Sequence, residues 1–418
     1  MPTIITIKEH QPFDSQDMEK IKTLNLAFQQ TDYLKEPKYL GIYDYCASYY
    51  IGASWLVKNE LAVIVTPKMK NIDFVTMFLE ALEVDTKNES DYFAQCYGIQ
   101  FDEPTIETDE QLNQLTPLLV LHFISLLERL VKQGLKKDYI VREENLKTKV
   151  KGRLLITKHL QKNVFQQRSD RVYCQYQEYT DDIPENRLLK KTLLFADRII
   201  NNYKSLKAQS SYSEIQSRLL RLKNMLSHIS DEIEPYQVQK LSTNKLFKEY
   251  KETTRVAKML LRRYDYSISE ASEEQHSTPP FWIDMSRLYE MWVYNKLQQH
   301  AIHEILFQEK GFYGRQVADF VIPLERLILD AKYKPNYASN NFVDIDDIRE
   351  LSGNARDEFL LPNLDESYSP RCIILYPGDY DELRHEKDAL FDSQGIKIPH
   401  YRNFYKISVK LPIIEEHY

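Results

Sequence analysis

The fold of the C-terminal part of this chain is indicated most clearly by the stretch Val317-Ala-Asp-Phe-Val-Ile-Pro-Leu-Glu-Arg-Leu-Ile-Leu-Asp-Ala-Lys-Tyr333. It predicts two short apolar strands joined by a tight turn. Because side chains alternate between the two faces of a strand, Asp319 lies on one face of the first strand, and Asp330 and Lys332 share one face of the second. A two-residue loop at Leu324-Glu325 would place Asp319 directly opposite Asp330, with β-carbons about 5 Å apart.

Two carboxylates at that separation repel each other unless a divalent cation lies between them. Lys332 on the same face adds a positive charge for an anionic substrate. The alternative interpretation is that both aspartates are turn or edge residues. Apolar neighbours favour the metal site, since Leu-Ile-Leu precedes Asp330, Val-Ala precedes Asp319, and no glycine marks either aspartate as a turn former.

The composition is that of a water-soluble globular protein. The chain has 418 residues, enough for two or three domains, with 28% charged and 43% hydrophobic residues. The apolar runs are too short to span a membrane and no signal peptide is visible, so we expect a cytoplasmic location with no membrane contact. The four dispersed cysteines predict reduced thiols rather than disulfides or a zinc site: Cys46, Cys96, Cys174 and Cys372.

The net charge of −7 argues against nucleic-acid binding, but the charge is unevenly distributed. Residues 147–171 contain eight basic residues and one acidic residue, and residues 240–263 contain eight and two. Local basic stretches matter more for phosphate contact than the total charge. A solvated helix face with paired charges explains the second stretch equally well. The first stretch therefore supplies the candidate DNA-binding residues Lys147, Lys149, Lys151 and Arg153.

Hydrophobic periodicity and breaker residues divide the chain into four segments. We predict a mixed α/β partner-binding domain over 1–108, a mainly helical basic region over 109–266, a linker over 267–280 and an α/β domain over 281–418. Elements predicted within them include strands at Tyr39–Tyr43 and Tyr49–Ile51, and helices at Asp109–Gly134, Ile283–Gln299 and Ile345–Phe359. Asp344, Asp346 and Asp347 are expected at a solvated helix start.

The C-terminal order of elements resembles the core of the PD-(D/E)xK nucleases. A helix carries Glu290, one strand carries Asp319, the next carries Asp330-Ala331-Lys332, and a helix and a strand follow. Hydrolysis of a phosphodiester needs a metal that polarises the phosphate and activates water. Asp319, Asp330 and the Ala331 carbonyl are the expected ligands of Mg²⁺, with Mn²⁺ as a substitute. Lys332 is expected to orient the nucleophile and stabilise the transition state, and Glu290 is either an outer contact or an exposed polar residue.

The chain also resembles the McrC family, the nuclease subunit of McrBC-type 5-methylcytosine-specific restriction systems, over most of its length. In that family a Gln usually follows the D-x-K strand, whereas Glu350 occupies this position here. The resemblance rests on the order and spacing of several pieces: Val63–Lys68, Leu135–Tyr139, Val150–Arg153, Ile183–Lys190, Phe281–Glu290, Asp319, Leu329–Lys334 and Ile374–Pro377. It implies an α+β N-terminal unit, a helical middle and a C-terminal PD-(D/E)xK restriction-endonuclease-like α/β domain.

The resemblance further implies a Mg²⁺-dependent endodeoxyribonuclease that serves in antiviral defence. Such a subunit cuts double-stranded, modified DNA when it is assembled with a hexameric McrB-like AAA+ GTPase whose hydrolysis it stimulates. The chain has no G-x-x-x-x-G-K-[ST] motif, so a motor must be a separate protein. Two alternatives remain: a non-catalytic adaptor or activator of an AAA+ motor, and a PD-(D/E)xK nuclease of repair or another defence system.

Overall fold

The computed structural model describes most of the chain and divides it into two compact units. The larger unit contains residues 1–118 and 274–418, and the smaller contains residues 119–273. The first and last of the four predicted segments thus lie together in one unit. The described residues are 2–24, 26, 28, 37–69, 71–82, 95–100, 103–107, 115–202, 212–233, 250–251, 253–258, 260–261, 277–314, 316–339, 343–361, 370–381, 383 and 395–413.

The elements are numbered here in chain order. The strands are β1 Thr3–Lys8, β2 Tyr50–Val57, β3 Leu61–Thr66, β4 Tyr97–Ile99, β5 Ile106–Glu107, β6 Asp138–Lys147, β7 Arg153–Leu154, β8 Arg171–Thr180, β9 Ser277–Thr278, β10 Phe281–Asp284, β11 Leu306–Lys310, β12 Val317–Ile322, β13 Leu327–Ala331, β14 Arg371–Gly378, β15 Ile396–Lys397 and β16 Phe404–Lys410. The helices are α1 Ser15–Thr23, α2 Phe74–Leu82, α3 Leu115–Gln133, α4 Ile156–His159, α5 Pro184–Asn202, α6 Tyr212–Met225, α7 Met285–His300 and α8 Ile345–Asn354. No described helix is both long enough and apolar enough to cross a membrane.

The first sheet of the larger unit combines strands from both ends of the chain, in the order β1-β3-β2-β10-β4. β1 is parallel to β3, and the other neighbours are antiparallel. Gly52 permits the close approach of β10, since its φ is +138° and a Cβ there would lie 2.1 Å from the Phe281 carbonyl oxygen. A strand that directly precedes α7 is therefore inserted into a sheet formed from the first hundred residues.

The second sheet has the order β11-β12-β13-β14-β16-β15. Its β11, β12 and β13 are antiparallel neighbours, and β13, β14 and β16 run parallel. One face shares an apolar core with the first sheet, built around α7. This helix is buried on several sides, as a helix in the middle of a core must be; among its residues Leu288, Tyr289, Trp292 and Leu297 are 1% exposed or less. The other face of the sheet is covered by α8 through Ile348 and Leu351.

The smaller unit combines helices with a three-stranded antiparallel sheet. The sheet has the order β6-β8-β7. As predicted, α3 ends where Gly134 takes up a φ of +104°. Its apolar stripe is buried, with Leu119, Phe123, Leu127 and Leu130 all 1% exposed or less. The long strand β6 was not predicted, because its sequence Asp138–Lys147 carries charged residues on both faces.

The predicted mixed α/β class is confirmed, whereas several local predictions were wrong. Tyr39–Tyr43 is not a strand; Lys38–Gly41 forms a helical turn in which Tyr39 and Leu40 have positive φ. The strand predicted at Tyr49–Ile51 is longer and runs from Tyr50 to Val57. The helix predicted from Ile283 begins at Met285, because the Asp284 side chain accepts a hydrogen bond from the Arg287 N–H and caps the helix. Most of the predicted linker over 267–280 lies outside the described residues.

Candidate active site

Three polar residues lie in one row across β11, β12 and β13. Phe320 pairs with Leu329, and one residue further this register places Asp319 opposite Asp330. The register of β11 against β12 places Gln308 opposite Asp319 in the same way. The predicted facing of the two aspartates is therefore confirmed.

The turn between β12 and β13 differs from the predicted two-residue loop. Pro323–Glu325 form a 3₁₀ turn, and Arg326 closes it with a left-handed φ of 54°. Proline fixes the φ with which such a turn begins. The turn therefore takes four residues, yet it leaves the register of Asp319 and Asp330 unchanged.

Asp319 is held by donors on both sides. Its Oδ2 accepts the Ala331 N–H at 2.9 Å, and its Oδ1 accepts Gln308 Nε2 at 3.0 Å. The same Nε2 donates to Glu290 Oε2 at 3.1 Å. Glu290 lies half-buried on α7, so it is joined to the row of carboxylates through Gln308 rather than pointing into solvent. Sequence reasoning missed Gln308, because a single glutamine on an edge strand carries no signal of its own.

Lys332 lies between two carboxylates. Its Nζ is 3.0 Å from Asp330 Oδ2 and 3.0 Å from Glu350 Oε2. Asp330 is 5% exposed, whereas Glu350 is exposed on α8. Glu350 is therefore an ionic partner of Lys332, at the position where the family resemblance predicts a Gln.

Burial and like charge raise the pKa of both aspartates. Burial raises the pKa of Asp319 to about 7, and the charge of Glu290 adds to this, while hydrogen bonds and Lys332 act in the opposite direction. The pKa of Asp330 is raised well above its ordinary value by burial and then by the charge of Asp319. Burial lowers the pKa of Lys332, but Asp330, Asp319 and Glu350 outweigh it and raise the pKa above its usual value. Lys332 is thus a permanent cation, and a bound cation would offset the burial and repulsion that keep the aspartate pair from ionising fully.

The donor set of the site fits a small hard cation. Two carboxylates face each other, and the N–H of Ala331 points toward Asp319 on β12. The carbonyl of a strand residue points to the same side as its N–H, so the Ala331 oxygen also faces β12. Among the described residues no group of three or more His, Cys, Asp or Glu side chains stands at metal-ligand spacing. Two carboxylates and a backbone carbonyl oxygen are hard donors of the kind that Mg²⁺ prefers, and Mg²⁺ typically completes such a set with water and phosphate.

The acidic start of α8 has two different roles. Asp344 caps the helix by accepting the Asp346 N–H at 3.2 Å, as the predicted helix start requires. Asp347 is not solvated, however, because it is 7% exposed and forms an ion pair with Lys334 Nζ at 2.8 Å. Lys334 follows the D-x-K strand, so this pair connects the segment after β13 to α8.

The candidate DNA-binding residues lie in the smaller unit, and all four are exposed: Lys147, Lys149, Lys151 and Arg153. Lys151 Nζ lies 3.9 Å from the ring centroid of Tyr176. The segment 156–165 next to them exposes large apolar side chains, among them Ile156 at 64% and Phe165 at 75%.

Most of the chain matches one known protein family. Residues 47–348 match the family described as "McrBC 5-methylcytosine restriction system component". The chain belongs to the McrBC family. This confirms the resemblance seen in the sequence. The region of this McrBC-family protein that matches contains Glu290, Asp319, Asp330 and Lys332, and it ends two residues before Glu350.

Individual relatives of this McrBC-family chain are distant. No curated protein matches it. One solved structure, a half-complex from a tetradecameric assembly of Thermococcus gammatolerans McrB AAA+ hexamers with bound McrC, is 15% identical over 98% of this chain and 94% of that chain, with a TM-score of 0.38. The cryo-EM structure of the Thermococcus gammatolerans McrBC complex is 14% identical over 72% of this chain and 89% of that chain, with a TM-score of 0.31.

Proposed function

We propose that this protein is the Mg²⁺-dependent DNA endonuclease subunit of a modification-dependent restriction complex. The observation that carries the proposal is the facing of Asp319 and Asp330 on adjacent strands, with Lys332 Nζ 3.0 Å from Asp330. Membership of the McrBC family supports the part of the proposal that concerns a restriction system.

Each residue of the site has a separate role in the proposed hydrolysis of a phosphodiester. Asp319, Asp330 and the Ala331 carbonyl would hold Mg²⁺, which supplies Lewis-acid polarisation of the phosphate and a lowered pKa of bound water. Lys332 places a fixed positive charge beside the reacting phosphate, where negative charge increases in the transition state. Its ion pairs with Asp330 and Glu350 hold the ammonium in place before the substrate arrives.

We further propose that the subunit works with a separate AAA+ GTPase of the McrB type and stimulates its hydrolysis. The proposed contact surface includes segment 138–180 of the smaller unit, in addition to the partner-binding domain predicted over 1–108. Its exposed apolar residues, such as Ile156 and Phe165, favour a protein partner, since DNA is bound mainly through charged and polar groups. The neighbouring residues Lys147 and Lys149 would add charge complementarity to an acidic partner surface or to DNA.

The test compares cleavage of methylated and unmethylated plasmid with Mg²⁺. The protein is assayed alone, with the AAA+ protein encoded beside it and GTP, and in the same mixture as Asp330→Ala or Lys332→Met. Asp346→Ala is the matched control, because Asp346 is an exposed acidic residue outside the site whose side chain forms a surface ion pair with Arg349 at 2.9 Å.

Cleavage that requires the partner and GTP and is lost in both site variants but not in Asp346→Ala supports the proposal. A full cleavage rate in Asp330→Ala would refute the nuclease assignment. Stimulated GTP hydrolysis without any cutting would favour the adaptor alternative, and cutting that no AAA+ protein affects would favour a nuclease of another defence or repair system. Loss of GTPase stimulation in Phe165→Ser, with the site intact, would locate the partner contact.

A further inference from the structure

The chain turns sharply directly after Lys332. The Lys334 N–H donates to the Lys332 carbonyl at 2.6 Å, which closes a three-residue turn centred on Tyr333. The Lys332 N–H in turn donates to the Leu375 carbonyl on β14 at 2.9 Å. The backbone of Lys332 is thus fixed on one side by the sheet and on the other by the turn at Tyr333.

Tyr333 is anchored in the core of the larger unit. Its side chain is 4% exposed, and its ring centroid lies 5.7 Å from that of Tyr289. Tyr289 directly precedes Glu290 on α7. Movement of the turn would therefore disturb both the strand that carries Asp330 and Lys332 and its packing against the helix that carries Glu290.

A side chain from the segment that follows β3 holds this turn. Lys68, which follows β3, donates a hydrogen bond from Nζ to the Tyr333 carbonyl oxygen. The same ammonium lies 4.0 Å from the centroid of the Tyr333 ring. A cation over an aromatic face is attracted by the ring, so Lys68 binds the backbone and the side chain of Tyr333 together.

Lys68 is itself held in a half-buried position. Its backbone N–H donates to Glu9 Oε2 at 2.9 Å, and the Glu9 N–H donates to the Thr66 carbonyl at 2.9 Å. Glu9 is 2% exposed. Burial raises the pKa of Glu9 to about 7 and lowers the pKa of Lys68 to about 8, in each case against the charge of the other. Removing an ammonium even partly from water costs free energy, and Lys68 meets this cost while it holds Tyr333, the residue that directly follows Lys332.

We propose that Lys68 is a positioning residue for the active site: by holding the turn at Tyr333 it keeps the Lys332 ammonium between Asp330 and Glu350. The inference rests on the proposed nuclease function. Lys68 acts through the backbone of Tyr333 and does not contact the substrate. A single residue of the N-terminal segment thereby sets the geometry of a site whose acidic residues all come from the C-terminal segment.

The experiment measures kcat and KM for plasmid cleavage with Mg²⁺, the AAA+ protein and GTP in Lys68→Met and Lys68→Arg. The methionine keeps the length of the side chain but cannot donate, and we expect kcat to fall by roughly tenfold to a hundredfold, the scale set by misplacement of a catalytic group. KM and stimulation of GTP hydrolysis should stay unchanged. The arginine variant should recover most of kcat, because a guanidinium donates to a carbonyl and stacks on an aromatic ring.

Lys58→Met is the matched control, because Lys58 forms a surface ion pair with Glu103 at 2.9 Å and its side chain is 56% exposed. Lys68→Gln gives a second test if the methionine variant does not fold, since the shorter neutral side chain should lower kcat in the same way. A wild-type kcat in folded Lys68→Met or Lys68→Gln would overturn the inference. An equal loss of cutting and of GTPase stimulation would also overturn it, by showing a merely structural role. A normal cleavage rate in Asp330→Ala would instead refute the proposed nuclease function itself, and not only the role of Lys68.

Discussion

Neutralising Asp319 should stabilise the metal-free protein at alkaline pH while it abolishes cutting. Asp319 is held beside Asp330 and close to Glu290, and its pKa is raised from 3.8 to about 7, mainly by burial. A carboxyl group with a raised pKa favours the folded state only while it is protonated. The folded state therefore keeps a proton that the unfolded state loses between pH 3.8 and about 7, and stability falls as the pH rises through this window.

The size of the effect follows from the pKa difference. A change from 3.8 to about 7 corresponds to roughly 4 kcal/mol of folding free energy at 1.36 kcal/mol per pKa unit. Asp319 is only half-buried, and Asp319→Asn exchanges one of its two acceptor oxygens for a donor, so part of this gain is lost. We expect a net stabilisation of about 1–3 kcal/mol above pH 7.5 and none near pH 4.

Thermal unfolding in EDTA at pH 8 and pH 4.5 tests this expectation. At pH 8 the Asp319→Asn variant should melt several degrees above the unaltered protein, on the order of 2–4 °C per kcal/mol, and the difference should be much smaller at pH 4.5. Added Mg²⁺ at pH 8 should raise the melting temperature of the unaltered protein but not that of the variant. A variant that is equally or less stable at pH 8, or a gain that is independent of pH, would refute the reasoning.

Three further predictions concern the surroundings of the site. Gln308→Ala removes the donor that Glu290 and Asp319 share, so cleavage should fall about tenfold in a single-turnover assay and need more Mg²⁺; an unchanged Mg²⁺ requirement would argue against this bridge. Glu350→Gln should cut within about threefold of the unaltered rate because Asp330 still holds Lys332 at 3.0 Å, whereas Glu350→Lys should cut poorly through repulsion of that ammonium; equal rates would exclude the ion pair. Trp292→Ala should lower the free energy of unfolding by roughly 3–5 kcal/mol in a urea titration, because Trp292 is 1% exposed and donates to Glu80 at 2.6 Å; a loss below about 1 kcal/mol would contradict the packing described for α7.

The facing of Asp319 and Asp330 could be predicted from the sequence, because strand alternation and a short connection constrain the register of neighbouring strands. This prediction is correct although the predicted two-residue loop was wrong. The turn has a different conformation, but it brings the strands together in the same register. Lys332 followed from the same alternation. Helix ends marked by local signals, such as Gly134 after α3, were predictable for a similar reason, since those signals act within a few residues.

The groups that hold these residues could not be predicted. Gln308 reaches Asp319 only because β11 pairs with β12 in one register, and nothing in a lone glutamine indicates this. Lys68 and Tyr333 are 265 residues apart in the chain and meet only in the folded unit. Periodicity cannot report such contacts, because it describes which face a side chain occupies and not what lies against that face.

The mixed α/β class, the resemblance to the McrBC family and the facing carboxylates with their lysine could all be inferred from the amino-acid sequence, because they depend on local pattern and on motif order. The entry of β10 into the N-terminal sheet and the contact of Lys68 with Tyr333, directly after the D-x-K strand, became apparent from the folded chain alone. The physical reason is that strand pairing and side-chain burial join segments far apart in the chain, and the partner chosen depends on the packing of the whole unit rather than on any one segment.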